Sequence, residues 1–158
     1  MQKLSILNTR EVKRIKELLV KQFDYAFEGE YAFLQNEKDR LFVVNRDVAR
    51  LALEHLKIDK MGLYFAEVKE GSLRLSKEGA IFLERCAQLD KKKIEPIVEL
   101  SDGEVKEYFL GKDLAKEMAV DTRFVLLAYK GSVLGCSAYK EGKILNYLPK
   151  IHRGEVIV

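Results

Sequence analysis

The sequence predicts an α+β protein: an α/β N-terminal part over residues 1–90, followed by a mainly β module over residues 94–158. Three observations lead there. In the first half, capped amphipathic helical patterns alternate with short β-type runs separated by turn residues. In the second, three apolar runs, FVLLAY, VLGCSAY and ILNYL, are punctuated by Lys130-Gly131-Ser132 and Lys140-Glu141-Gly142, the signature of an antiparallel meander. Between the halves, AQLDKKKIE over residues 87–95, ending at Pro96, reads as a short linker.

In chain order, Asn8 stands three residues before Glu11, and Val12, Ile15, Leu18, Leu19 and Phe23 follow at helical spacing, predicting a helix over 9–23. Tyr31–Gln35 and Leu41–Val44 flank the polar turn 36–40 and predict a hairpin. Asn45 is expected to cap a second helix with Val48, Leu51, Ala52 and Leu56 on its apolar face and His55 at its surface or boundary. Leu63–Val68 and Leu73–Leu75 predict another hairpin, and Ser76 a third helix with Ala80, Ile81 and Leu83 inward. Ile97–Leu100 is expected as a strand, Ser101-Asp102-Gly103 as a turn, and Val105–Met118 as mainly helical but broken at Gly111. A module of about 65 residues is small for an independent core, so its core is expected to continue into the first part.

Charge is unevenly distributed. Residues 122–153 hold six basic side chains against one acidic, whereas the remaining 126 residues hold 22 basic and 24 acidic. A cationic meander on a near-neutral chain points to a polyanion, with RNA the first candidate. Residues 1–90 carry 16 basic and 15 acidic side chains, a balance that favours a protein partner for that part.

Composition narrows the function classes. No apolar run approaches the roughly 20 residues that span a bilayer, and the start lacks a signal-peptide h-region, so a cytoplasmic protein with no membrane partner is expected. Cys86 and Cys136 lie in apolar contexts and read as buried reduced thiols. Two histidines and two scattered cysteines make no metal spacing, and no glycine-rich phosphate loop or serine-nucleophile motif is present. No catalytic residue, metal or cofactor is therefore expected, and the protein is read as not an enzyme.

Several stretches carry a family likeness. Tyr108 to Leu114 (YFLGKDL), Phe124 to Tyr129, Val133-Leu134-Gly135 and Gly142 to Lys150 (GKILNYLPK) resemble a PUA-type RNA-binding domain, a small β pseudo-barrel. The last two groups are most similar to the PUA-like tail of Sun/Fmu-type RNA cytosine-5 methyltransferases, without the catalytic domain that precedes it there. The whole layout also resembles two-domain ribosome-assembly factors with an α/β, pre-PUA-like domain ahead of the PUA domain. The resemblance implies a non-catalytic protein binding structured rRNA or tRNA in ribosome biogenesis, rRNA processing or RNA modification. The N-terminal part is expected either to meet an RNA-modifying enzyme or ribosome-assembly protein or to extend the RNA surface. Two other readings stand beside it: a substrate-recognition subunit serving an RNA methyltransferase in trans, and a protein–protein adaptor whose basic face meets an acidic partner.

Candidate RNA-binding residues are Gly111, Lys112, Lys140, Lys143, Lys150, His152 and Arg153. Gly111-Lys112 at a helical break is equally readable as a helix C-cap; the resemblance favours contact, a glycine there letting an RNA backbone approach. Lys140, Lys143, Lys150 and Arg153 are interleaved with Tyr139, Tyr147 and His152, a mixture suited to phosphate contact and base stacking. Strand alternation groups Tyr147 with Leu145 and Pro149, so Tyr147 is expected to pack in the core, and Gly135 is expected to serve a bulge or a close approach. The expected site is a groove between the Gly111 break and the last strand of the meander.

Overall fold

The computed structural model describes residues 3–47 and 61–158. After a short strand β1 (Leu4–Ile6), Asn8 opens helix α1 (Thr9–Phe23) with the reciprocal cap its spacing predicts. The Glu11 amide donates to Asn8 Oδ1 at 3.0 Å, and the Asn8 amide donates to Glu11 Oε2 at 2.8 Å. Ile15, Leu19 and Phe23 turn inward at the helical period. Strands β2 (Tyr31–Asn36) and β3 (Arg40–Asn45) form the first expected hairpin, and β4 (Leu63–Lys69) and β5 (Ser72–Leu75) the second. The expected helix after Asn45, with His55, lies outside the described residues.

These strands form one sheet in the order β1-β2-β3-β4-β5, antiparallel throughout. Among the described residues this sheet holds only antiparallel pairs, whereas the α/β layout expected for residues 1–90 calls for parallel strands joined by crossovers. Strand β1 was not expected from the sequence, because three residues show no usable alternation; pairing with β2 holds it. One sheet face, with Phe33, Leu41, Phe65 and Leu73 fully buried, meets α1 and helix α2 (Lys77–Leu89). The other face carries Leu34, Val44, Phe42 and Tyr64.

The second sheet contains β6 (Ile97–Glu99), β7 (Leu114–Ala115), β8 (Arg123–Tyr129), β9 (Ser132–Lys140) and β10 (Lys143–Leu145) in the order β6-β8-β9-β10-β7. Only β6–β8 is parallel among the described pairings. The meander β8-β9-β10 forms as expected. Its two-residue turns, Lys130-Gly131 and Glu141-Gly142, have positive φ at both positions (48° and 79°, 50° and 78°), the geometry that matches strand twist in tight hairpins.

Two expectations fail in this half. Ser101-Asp102-Gly103 is the cap and first turn of helix α3 (Asp102–Phe109), closed by a second reciprocal box between Ser101 and Glu104. Leu114–Met118 is not helical, because α3 stops before Gly111 at φ 86° and Leu114 pairs with Ile144 of β10. The helical spacing of Leu114 and Met118 was outweighed by a long-range pairing that buries Leu114 to 1% exposure.

Strand β8 explains how the halves join. Val125, Leu126, Leu127 and Ala128 are all buried, as a continuous apolar run should be when both faces are covered. Leu126 and Ala128, with Val133 and Cys136 of β9, enter the core of α1, α2 and the first sheet. Val125 and Leu127 face the other way, into a core with Val105, Tyr108, Tyr139, Ile144 and Leu148. The small module therefore continues its core into the first part, as its size requires. Cys86 and Cys136 are buried free thiols.

Candidate nucleic-acid interface

The turn after α3 is closed by the chain's own tail. The Lys112 amide donates to Glu107 O at 3.1 Å and the Gly111 amide to Tyr108 O at 3.0 Å, ending the helix through its carbonyls. A Cβ at Gly111 would stand 2.7 Å from Arg153 Nε, so the Arg153 side chain lies directly across the glycine. Arg153 Nε donates to Leu148 O at 3.0 Å, and the Gly154 amide donates to Phe109 O at 2.8 Å. The space expected to admit an RNA backbone at Gly111 is occupied by Arg153; the missing Cβ makes room for a guanidinium.

The expected groove between this turn and β10 is likewise filled, by Asn146. Its Nδ2 donates to Tyr108 O at 2.8 Å and Lys112 O at 2.9 Å, while its Oδ1 accepts from the Leu148 amide at 2.9 Å. Asp113 Oδ1 also accepts from the Asn146 amide at 2.8 Å. Asn146 thus rivets the end of α3 to the segment that carries Tyr147.

Two basic groups result. Lys112, Lys150, His152 and Arg153 gather where the short 3-10 turn Lys150–His152 meets the end of α3. Lys140 and Lys143 pair directly across the β9–β10 turn, at the opposite end of β10. Lys112, Lys140, Lys143, Lys150 and Arg153 are exposed, and among the described residues none forms an ion pair. His152 Nε2 lies 3.6 Å from a Glu78 carboxylate oxygen, linking the tail to the start of α2.

Glu78 also borders a cleft of about 730 Å³ between the outer face of the first sheet and the segment 147–151. Tyr147, expected in the core, stands 37% exposed on its wall. The alternation that would bury it ends with β10 at Leu145, and Leu148 fills the core position instead. The Arg74 guanidinium lies over the Tyr147 ring, 5.0 Å from its centroid, and is steadied by Glu67 at 3.2 Å. Arg40 lies 5.4 Å over Tyr64, whose ring meets Phe42 edge-on at 5.6 Å. Burial, above all, raises the Tyr64 pKa.

The cleft floor includes Tyr108, Gly135 and Cys136. Pairing slips between Leu127 and Ala128, leaving Leu134 as the extra residue of a bulge beside Gly135. The bulge at Gly135 is as expected, but the close approach is by a side chain rather than another backbone: a Cβ there would stand 2.7 Å from the Tyr108 hydroxyl. Burial pushes the Tyr108 phenol up to about 12 and the Cys136 thiol up to about 12, which keeps both neutral. Arg40, Phe42, Tyr64 and Arg74 were not singled out as site residues: they lie in the other half of the chain, where no motif connects them to Tyr147. Among the described residues, no group of three His, Cys, Asp or Glu side chains could hold a metal ion, and no helix is long and apolar enough to cross a membrane.

The C-terminal unit thus combines a small mixed sheet, an intervening helix that ends before a glycine and a cationic tail laid across that end. Residues 95–153 match the family described as Methyltransferase RsmF PUA domain. This chain therefore carries a C-terminal PUA domain resembling the tail of Sun/Fmu-type methyltransferases. Among curated relatives, it is 30% identical over 95 residues to ribosomal RNA small subunit methyltransferase F of Aeromonas hydrophila subsp. hydrophila. It is 26% identical over 95 residues to the protein of that name from Aeromonas salmonicida. Each match covers 60% of this chain and 19% of the relative, so the chain spans about a fifth of the length of the curated relatives it matches.

Proposed function

We propose that this is a non-catalytic RNA-binding protein that holds structured RNA, rRNA or tRNA, in ribosome biogenesis or RNA modification in the cytoplasm. The observation that carries this reading is that the PUA match, residues 95–153, contains the cationic meander of residues 122–153. The printed name of both relatives, a ribosomal RNA small subunit methyltransferase, favours rRNA among the candidates. In this reading residues 1–90 form a pre-PUA-like domain and residues 94–158 the RNA-binding domain. Lys112, Lys140, Lys143, Lys150 and Arg153 attract phosphates, and shape with a few ring contacts sets register. The charge-balanced N-terminal part meets an RNA-modifying enzyme or a ribosome-assembly protein.

Salt-titrated binding of the full chain to a small-subunit rRNA fragment, tRNA and an unstructured polyanion tests the reading. Structured RNA is expected to bind more tightly than the polyanion at equal salt. Joint replacement Lys143→Glu and Lys150→Glu should weaken binding and lower the log–log salt slope by about 1.5 to 2, the loss of two phosphate contacts. Equal affinity for all three polyanions, or an unchanged slope in the double variant, would refute it.

A further inference from the structure

We infer that the cleft between the first sheet and the 147–151 segment is a pocket for an unpaired nucleobase of the bound RNA, with Tyr147 as its stacking platform. The inference rests on the RNA-binding reading and names a second site for it, built by both halves of the chain. Ring-and-guanidinium geometry supports it first. Two arginine–tyrosine pairs, Arg74 over Tyr147 and Arg40 over Tyr64, border one cavity, each with a centroid distance within the range for cation–π contact. Unstacked bases are held by such planes, aromatic rings and arginine guanidinium groups alike.

Charge points the same way. Among the described residues at the cleft, Arg40, Arg74 and Lys77 stand against Glu78 and the Glu67 that pairs with Arg74, and the remaining positive charge favours a flat ring that arrives with a phosphate. Its volume, about 730 Å³, falls in the range of pockets that enclose small organic ligands. Position completes the argument. Pro149 and Ile151 line the cleft, while Lys150 between them belongs to the cationic tail, and His152 reaches Glu78 at the rim. A strand whose phosphates run along Lys112 and Lys150 would pass the cleft mouth. A base there can enter only if it is unpaired, since pairing and stacking hold duplex bases away from protein rings.

The test compares three RNAs with the full chain: a blunt stem, the same stem with a short single-stranded overhang, and the same stem with an abasic overhang of equal length. The abasic probe keeps every phosphate and removes the bases. The base-bearing overhang is expected to bind about five- to 150-fold more tightly than the abasic one, the effect of stacking one base. Tyr147→Ala should bring that ratio close to one, and Tyr147→Phe should retain it. The chain has no tryptophan, so Tyr147→Trp places a single reporter in the cleft. Its fluorescence should be quenched by the base-bearing overhang and not by the abasic one. Equal affinity for the two overhangs, or a ratio that survives Tyr147→Ala, overturns the pocket while leaving the RNA-binding reading in place. Failure to bind any of the three probes overturns both.

Discussion

Replacing Gly79 with alanine probes the contact that sets the wall of the cleft. In an exposed helix this change stabilises by about 1 kcal/mol, because alanine restricts the unfolded chain and favours the helix. Here the added Cβ would stand 1.9 Å from the Phe65 carbonyl oxygen, where ordinary contacts begin near 3.4 Å. The start of α2 would have to retreat from β4 by at least about 1 Å even to relieve the worst overlap. That movement strains the Ser76 amide bond to Phe65 O, now 2.9 Å, and shifts Lys77 and Glu78 at the cleft. Overpacking costs about 1 to 3 kcal/mol and a weakened backbone hydrogen bond about 1 kcal/mol more. Set against the helix gain, the net loss is about 1 to 3 kcal/mol, a fall in Tm of about 2 to 12 °C for a chain of this size. Thermal melting and urea titration read it directly, with a lower midpoint and unchanged urea slope. Gly103 supplies the control: it too lies in a first helical turn, but nothing stands within 4 Å of its Cβ position. Gly103→Ala should raise Tm by about 2 to 4 °C. A rise in Tm for Gly79→Ala would refute the packing argument.

Two further outcomes follow from Asn146 and Cys136. Asn146→Ala leaves Lys112 O and Tyr108 O without their side-chain donor and should destabilise by about 1 to 3 kcal/mol, with faster hydrogen exchange at the Leu148 amide as the local readout. Cys136, raised from 9.0 to about 12 by burial, stays protonated in the folded chain after the unfolded thiol has ionised. Its contribution is therefore complete below pH 9 and lost as pH rises from about 9 to about 12, by up to about 4 kcal/mol. Urea titrations of the parent and of Cys136→Ala across that range should converge as pH rises; parallel curves would contradict the assignment.

Much of the local structure was legible in the sequence because short-range chemistry decides it. Asn8 with Glu11 and Ser76 before a helical period determine where helices begin, since the cap side chain and the amides it satisfies are neighbours in the chain. Gly131 and Gly142 mark the turns of the meander in the same way, because a positive φ at the second turn position favours glycine. The PUA character of residues 95–153 also lay in the sequence, in the glycines and apolar positions of YFLGKDL and GKILNYLPK. Tertiary structure decided the rest. Leu114 became a strand residue through a partner thirty positions later, and Tyr147 left the core because Leu148 filled it. Arg153 lay across Gly111, turning an expected opening into a closed contact. The cleft is the clearest case: Arg40, Tyr64 and Arg74 share it with Tyr147 only because β8 is buried on both faces and locks the two sheets around one core. Proximity of that kind depends on which surfaces pack together, and no spacing along the chain encodes it.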